Sequence, residues 1–139
     1  MAIKQLNPYL NFNGTADKAI QLYQSALGAK VDSIMRFGDA AGNMPVAPAD
    51  KNRVMHARLQ VGGGMFMLSD TMPNAPANTG GNVHITLDFD NPDEMATKFD
   101  ALAAGGKVTM PLQNTFWNAR FGMLTDAYGI NWMFNCEQH

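Results

Sequence analysis

Residues 10–31 read LNFNGTADKAIQLYQSALGAKV, and residues 87–108 read LDFDNPDEMATKFDALAAGGKV. The two segments align without a gap, which places Leu10 on Leu87 and Gly28 on Gly105. A duplication of this kind is typical of two copies of one supersecondary element that share a core. If a two-fold axis relates the copies, the cleft between them is the natural place for a ligand.

Each copy has the pattern of one strand, one helix and three further strands. The first copy predicts strands at 7–12, 29–37, 54–61 and 65–70, with a helix at 16–27. The second copy predicts strands at 82–89, 107–113, 117–125 and 130–135, with a helix from 92 to about 104. We therefore expect an α+β fold: a single domain of two βαβββ modules, at about 1–70 and 82–139, joined by a linker at 71–81. Its mixed sheet should curve around a cavity.

Several single residues carry structural predictions. Thr15 is the expected N-cap of the first helix, and Asn91, followed by proline and an acidic residue, is that of the second. Asp70 and Asp126 end strands and are expected to cap turns. The alternation of the last strand predicts that Trp132 is a core residue.

Composition excludes several functional classes. The net charge is −2, and the basic residues form no cluster, so we expect no binding to nucleic acid or to an anionic membrane surface. No apolar run is long enough to span a bilayer. Cys136 is the single cysteine. Because an intramolecular disulfide is therefore excluded, the cytoplasm is the expected compartment.

Candidates for metal or acid–base chemistry are scarce, because the chain has three histidines and two glutamates. Glu137 and His139 fall in the terminal tail. His84 lies on the polar side of a predicted strand, where two interpretations stay open: a hydrogen-bonded structural histidine or a ligand-binding residue.

The polar sides of the first and last strands of the modules should face a ligand cavity. The residues on these sides are Asn7, Tyr9, Asn11, His84, Thr86, Asp88, Asn131 and Asn135. Methionines on neighbouring strands are expected to add adaptable lining. Arg58 and Arg120 each follow an alanine at the start of similar runs, which predicts equivalent places for them. They would either bind an anion or pair with aspartates.

The repeated pattern resembles the vicinal oxygen chelate superfamily of glyoxalase I, bleomycin-resistance proteins and extradiol dioxygenases, and within it the PhnB-like branch. The residues behind this resemblance are NPYLNF at 7–12, VMHARLQVGG at 54–63, MLSD at 67–70 and TFWNARFGMLTDAYGINWMFN at 115–135. It covers essentially the whole chain. Members of the branch often carry a methyltransferase label, but no strand in this sequence leads through a Gly-rich turn into a helix as a nucleoside cofactor requires.

The resemblance implies four side chains that converge on a divalent ion, from the first and last strands of each module. The matching positions are Asn7, His84, Met133 and either Met67 or Ser69. His84 alone is a good ligand for a hard or borderline ion, since amides are weak ligands and thioethers suit soft copper. The expectation is therefore no cofactor, with a divalent metal at His84 kept as the alternative.

Three functional hypotheses follow. In the leading one the protein binds a small organic molecule without a full metal site, through residues Asn7, Tyr9, Met67, His84, Trp117 and Met133. In the second it is a metal-dependent lyase, isomerase or dioxygenase that uses His84 with oxygen donors such as Asp88. In the third it is a scaffold module. The resemblance also implies a homodimer.

Overall fold

The computed structural model describes residues 2–40, 47–77 and 80–138. Its strands are β1 (Tyr9–Phe12), β2 (Lys30–Arg36), β3 (Val54–Val61), β4 (Gly64–Asp70), β5 (Ile85–Phe89), β6 (Lys107–Asn114), β7 (Ala119–Thr125) and β8 (Asn131–Glu137). Its helices are α1 (Ala16–Leu27) and α2 (Pro92–Ala103), and short 3-10 turns cover Phe37–Ala40 and Pro48–Asp50. The predicted βαβββ order of each module is confirmed, and with it the α+β class. No helix in these described ranges is both long and apolar enough to cross a membrane.

The strands form two mixed sheets of the same topology. The first sheet has the order β1-β4-β3-β2, and the second has the order β5-β8-β7-β6. In each sheet the first strand pairs in parallel with the last, and the other neighbours are antiparallel. The contacts divide the described chain into one compact unit of residues 2–24 and 28–77 and another of residues 25–27 and 80–138. Residues 78 and 79 of the predicted linker lie outside the described part.

The first sheet is closed on one side by α1. The apolar stripe of α1 is buried and consists of Ala19, Ile20, Tyr23 and Leu27. The Tyr23 ring meets Phe66 of β4 edge-on at 5.7 Å between ring centroids. Leu10 and Phe12 lie on the same side of the sheet as Phe66 and are also buried. Gly28 ends α1 with a φ of 70°, the left-handed conformation that glycine adopts without strain.

The cap of α1 differs from the prediction. The Thr15 side chain makes no capping hydrogen bond. Asp70, at the end of β4, takes this place: its Oδ1 accepts from the backbone N–H groups of Gly14 at 2.9 Å and Ala16 at 3.0 Å. Its Oδ2 accepts from Val54 N–H at 3.0 Å. A residue distant in sequence thus supplies the acceptor that an N-cap normally provides.

The second sheet packs on α2 in the same way. Phe99 of α2 meets Phe134 of β8 edge-on at 5.0 Å, and Trp132 is fully buried as predicted. Asn91 caps α2, accepting from the N–H groups of Asp93 and Glu94, which confirms the predicted helix start. Asp126 caps the turn before β8 and accepts the indole N–H of Trp132 at 2.9 Å.

Three strands begin two or three residues later than predicted, and each shift moves a candidate site residue out of its strand. β1 begins at Tyr9, after Asn7. β5 begins at Ile85, one residue after His84, and Ile85 pairs with Trp132 of β8. The Asn131 side chain, rather than its backbone, donates to the carbonyl of Gly80 at 2.9 Å. β7 begins at Ala119, so Trp117 lies in the preceding turn, where Thr115 N–H donates to Ala119 O at 2.8 Å.

The predicted equivalence of the two arginines is wrong. Arg58 pairs with Met67 of β4, whereas Arg120 pairs with Cys136 of β8. The residue of β7 that pairs with Met133, the counterpart of Met67, is Met123. Arg120 therefore lies three residues out of step with Arg58. Because strand side chains alternate between faces, an odd shift places the two arginines on opposite faces of their sheets.

Candidate functional site

The face of each sheet that points away from its helix is here called the distal face. On the first sheet the paired positions of this face are Tyr9, Asn11, Lys30, Ser33, Met35, His56, Arg58, Gln60, Met65, Met67 and Ser69. On the second sheet they are Thr86, Asp88, Lys107, Met110, Gln113, Phe121, Met123, Thr125, Asn131, Met133 and Asn135. The predicted polar residues of the first and last strands belong to these faces, except Asn7 and His84, which precede their strands.

Two predicted site residues are neighbours on the first distal face. Tyr9 of β1 is 44% exposed and pairs with Met67 of β4, which is partly exposed. His56 of β3 completes this group, with its ring centroid 6.1 Å from that of Tyr9. Asn7 lies ahead of β1 and accepts a hydrogen bond from the Gln5 side chain at 3.0 Å. Only the pairing of the strands shows the proximity of His56 to Tyr9.

On the second distal face Met133 lies in a row with Thr86 and Met123. The row beside it holds Asp88 and Asn135, whose amide donates to the Asp88 carboxylate at 3.1 Å, and Phe121. Methionine, aromatic and hydrogen-bonding groups therefore alternate along this face. Such a mixture suits a ligand with both apolar and polar parts.

The other predicted residues of this unit lie at its margins. His84 is partly exposed and immediately precedes β5, whose first residue, Ile85, pairs with Trp132. The Asn131 side chain already has a hydrogen-bond partner, since its Oδ1 accepts from Thr125 Oγ1 at 2.7 Å. Trp117 is 53% exposed and meets Phe121 at 6.0 Å between ring centroids. Trp117 therefore adjoins the distal face from the turn and is not a member of a strand.

The residues at the four positions where the resemblance implies metal ligands do not fit a hard or borderline divalent ion. The pairing of Tyr9 with Met67, and of Thr86 with Met133, makes Met67 the counterpart of Met133. The set is thus one amide, one imidazole and two thioethers. Across the ranges that the structure describes, no group of three or more His, Cys, Asp or Glu side chains could hold a metal ion.

A family model, a relative in sequence and a solved structure all match nearly the whole of this chain. The family model of the glyoxalase/bleomycin resistance protein/dioxygenase superfamily matches residues 5–134. Protein YjdN of Escherichia coli is 38% identical over 138 residues, which cover 94% of this chain and 93% of that protein. The crystal structure of protein PA1353 from Pseudomonas aeruginosa has a TM-score of 0.84 at 42% identity, covering 99% of this chain and 100% of that one.

A second solved structure, less similar to this chain, bears on which branch of the superfamily the chain resembles. A Bacillus cereus protein, described as a putative 3-demethylubiquinone-9 3-methyltransferase, PhnB protein, has a TM-score of 0.76 at 26% identity. It aligns with 96% of this chain and 99% of its own. The predicted PhnB-like resemblance is thus confirmed. This chain belongs to the glyoxalase/bleomycin resistance protein/dioxygenase superfamily.

Proposed function

We propose that this protein binds a small organic molecule of mixed polarity on the distal faces of its sheets, without the four-ligand metal site of its superfamily. The observation that carries the proposal is the contrast between the two sides of each sheet. The helix-packed sides are sealed by buried apolar residues. The distal sides hold partly exposed methionines, next to Tyr9 on one sheet and Phe121 on the other.

Methionine is a suitable residue for this role. Its unbranched side chain and polarisable sulfur adapt to irregular ligand shapes and make favourable contacts with aromatic rings. The polar groups between the methionines, such as Asn135 and Thr86, would orient the ligand through hydrogen bonds. The distal faces thus supply both the apolar area and the directional contacts that a binding site needs.

The first test uses the neutral fluorescent probe N-phenylnaphthylamine. We expect it to bind the wild-type protein, and Met67→Thr or Met133→Thr to weaken binding by about fourfold, because about 0.8 kcal/mol is lost per buried methylene-sized group. The matched control is Ile3→Thr, which removes a similar apolar side chain that is 89% exposed at the N-terminal segment. A fluorescence titration gives the Kd values. Equal Kd values for all four proteins would contradict the proposal.

The second test measures metal content. Protein purified without chelators is expected to contain far less than one nickel, zinc, manganese or iron ion per chain, since amide and thioether groups are poor ligands for these ions. His84→Ala should leave that content unchanged, as should the control His56→Ala. Elemental analysis decides between this proposal and the metal-dependent alternative, which expects one ion per chain that His84→Ala removes.

A further inference from the structure

The distal face of the first sheet is positively charged, although the whole chain has a net charge of −2. Its paired positions on β2 and β3 include the cationic residues Lys30 and Arg58. None of the residues paired across this face in the described strands is an aspartate or glutamate. Asp32, at the irregularity of β2 between Val31 and Ser33, is exposed and forms no ion pair with Arg58, so the two cations still outnumber it. The charge of this face is therefore opposite in sign to that of the protein.

Arg58 lies where it can contact a ligand that rests on this face. One row of the sheet runs from Tyr9 through Met67 to Arg58 and on to Ser33 at the edge strand. The His56 ring lies near Tyr9, with an angle of 51° between the two ring planes. A ring or an unsaturated chain placed over Tyr9 and Met67 would therefore have the Arg58 guanidinium at its end.

The Arg58 side chain is not used to hold the fold together. Arg36 forms an ion pair with Asp17 at 2.7 Å, and Arg53 forms one with Asp50 at 3.2 Å. Arg58, by contrast, is exposed, and no carboxylate of the described residues lies within 4.0 Å of it. An exposed guanidinium beside aromatic and thioether groups, without a carboxylate partner, is suited to bind an anion.

The second sheet has Lys107 on its edge strand, as the first has Lys30, but it lacks the arginine. The position of Arg58 is taken by Met123, and the row with Asn135 holds Phe121 and the carboxylate of Asp88. The two copies of the module have thus kept the same strand pairing but carry different chemistry on their distal faces. A preference for anions should be a property of the first sheet alone.

We propose that the distal face of the first sheet selects organic anions: the unsaturated part of the ligand rests on Tyr9 and Met67, and its acidic group pairs with Arg58. This inference rests on the proposed function and adds the charge of the ligand to it. A charge-assisted contact at a partly exposed site should change affinity by about tenfold.

The test compares two probes with the same aromatic body. Anilinonaphthalene sulfonate carries an acidic group, and N-phenylnaphthylamine lacks it. We expect Arg58→Gln to weaken sulfonate binding about tenfold and to change the Kd of the neutral probe by less than about twofold. Arg120→Gln, which makes the same change in net charge on the other sheet, is the matched control and should alter neither Kd. Near-ultraviolet circular dichroism verifies that all variants are folded.

The outcomes separate the two proposals. If the neutral probe binds but Arg58→Gln and Arg120→Gln give equal sulfonate affinities, selection by Arg58 is overturned while the proposed function stands. If Arg58→Gln weakens the binding of both probes equally, selection by Arg58 is also overturned, because a general packing role of the side chain explains an equal loss of affinity. If neither probe binds the wild-type protein, the proposed function itself fails, and the anion preference fails with it.

Discussion

Replacing Gly106 by alanine is expected to lower the free energy of unfolding by about 3 kcal/mol or more. A Cβ atom at this position would overlap the backbone of the turn after β7: the carbonyl oxygen of Thr125, the carbonyl carbon of Asp126 at 2.7 Å and the amide nitrogen of Ala127 at 2.9 Å. These atoms cannot move away easily, because the Asp126 carboxylate holds the turn through the N–H groups of Tyr128 and Ile130. Urea unfolding measures the loss.

Gly63→Ala is the matched control for this substitution. A Cβ atom at Gly63 would have no atom within 4 Å, and the residue lies in the tight turn between β3 and β4. We expect a change in unfolding free energy within about 0.5 kcal/mol. Equal changes in unfolding free energy for Gly106→Ala and Gly63→Ala would show that the segment after α2 does not lie against the turn after β7.

Asp70→Ala should have an effect of similar size, a loss of about 4 kcal/mol in unfolding free energy. The carboxylate is 5% exposed and accepts from three backbone N–H groups, those of Gly14, Ala16 and Val54. Without it these donors lose their acceptor, and each unsatisfied buried donor costs about 1–3 kcal/mol. The start of α1 and the start of β3 should loosen together, which hydrogen exchange at Ala16 and Val54 would report.

Two further variants distinguish a hydrogen-bonding role from a general effect of charge. Asp70→Asn keeps one acceptor oxygen but turns an amide N–H₂ toward one of the donors, so we expect a smaller loss of about 2 kcal/mol. Asp100→Ala removes an exposed carboxylate from α2 and should change stability by less than about 0.5 kcal/mol. A loss for Asp100→Ala equal to that for Asp70→Ala would contradict the capping role.

Local patterns were sufficient for several features that depend on residues close in sequence, although the Thr15 cap was not one of them. The bounds of α1 followed from its apolar spacing and from Gly28, and the start of α2 followed from Asn91 and Pro92. The burial of Trp132 followed from alternation along β8. In each case the signal lies within one helical turn or a few strand residues, so no knowledge of the partner elements was needed.

The candidate site was predictable only in part, because its composition depends on strand pairing. The resemblance implied that Met133 matches either Met67 or Ser69, and the pairing in the two sheets makes Met67 its counterpart. Nothing in the pattern around His56 indicated that its ring would lie near Tyr9, which is on a different strand. Likewise Trp117 was predicted in a strand, but a turn closed by Thr115 and Ala119 removes it from the sheet.

Periodicity and the internal duplication were enough to predict the order of the elements and the side of each strand that is buried, because each of these is encoded in neighbouring residues. The resemblance of segments such as NPYLNF at 7–12 to a known superfamily added the family. The cap of α1 by Asp70, the different registers of Arg58 and Arg120 and the charged distal face of the first sheet required the folded chain. Each of these depends on hydrogen bonds between strands or loops that are far apart in sequence. A one-residue change in such pairing moves every side chain of a strand to the other face, and the pattern within one strand does not show which residues of another strand it pairs with.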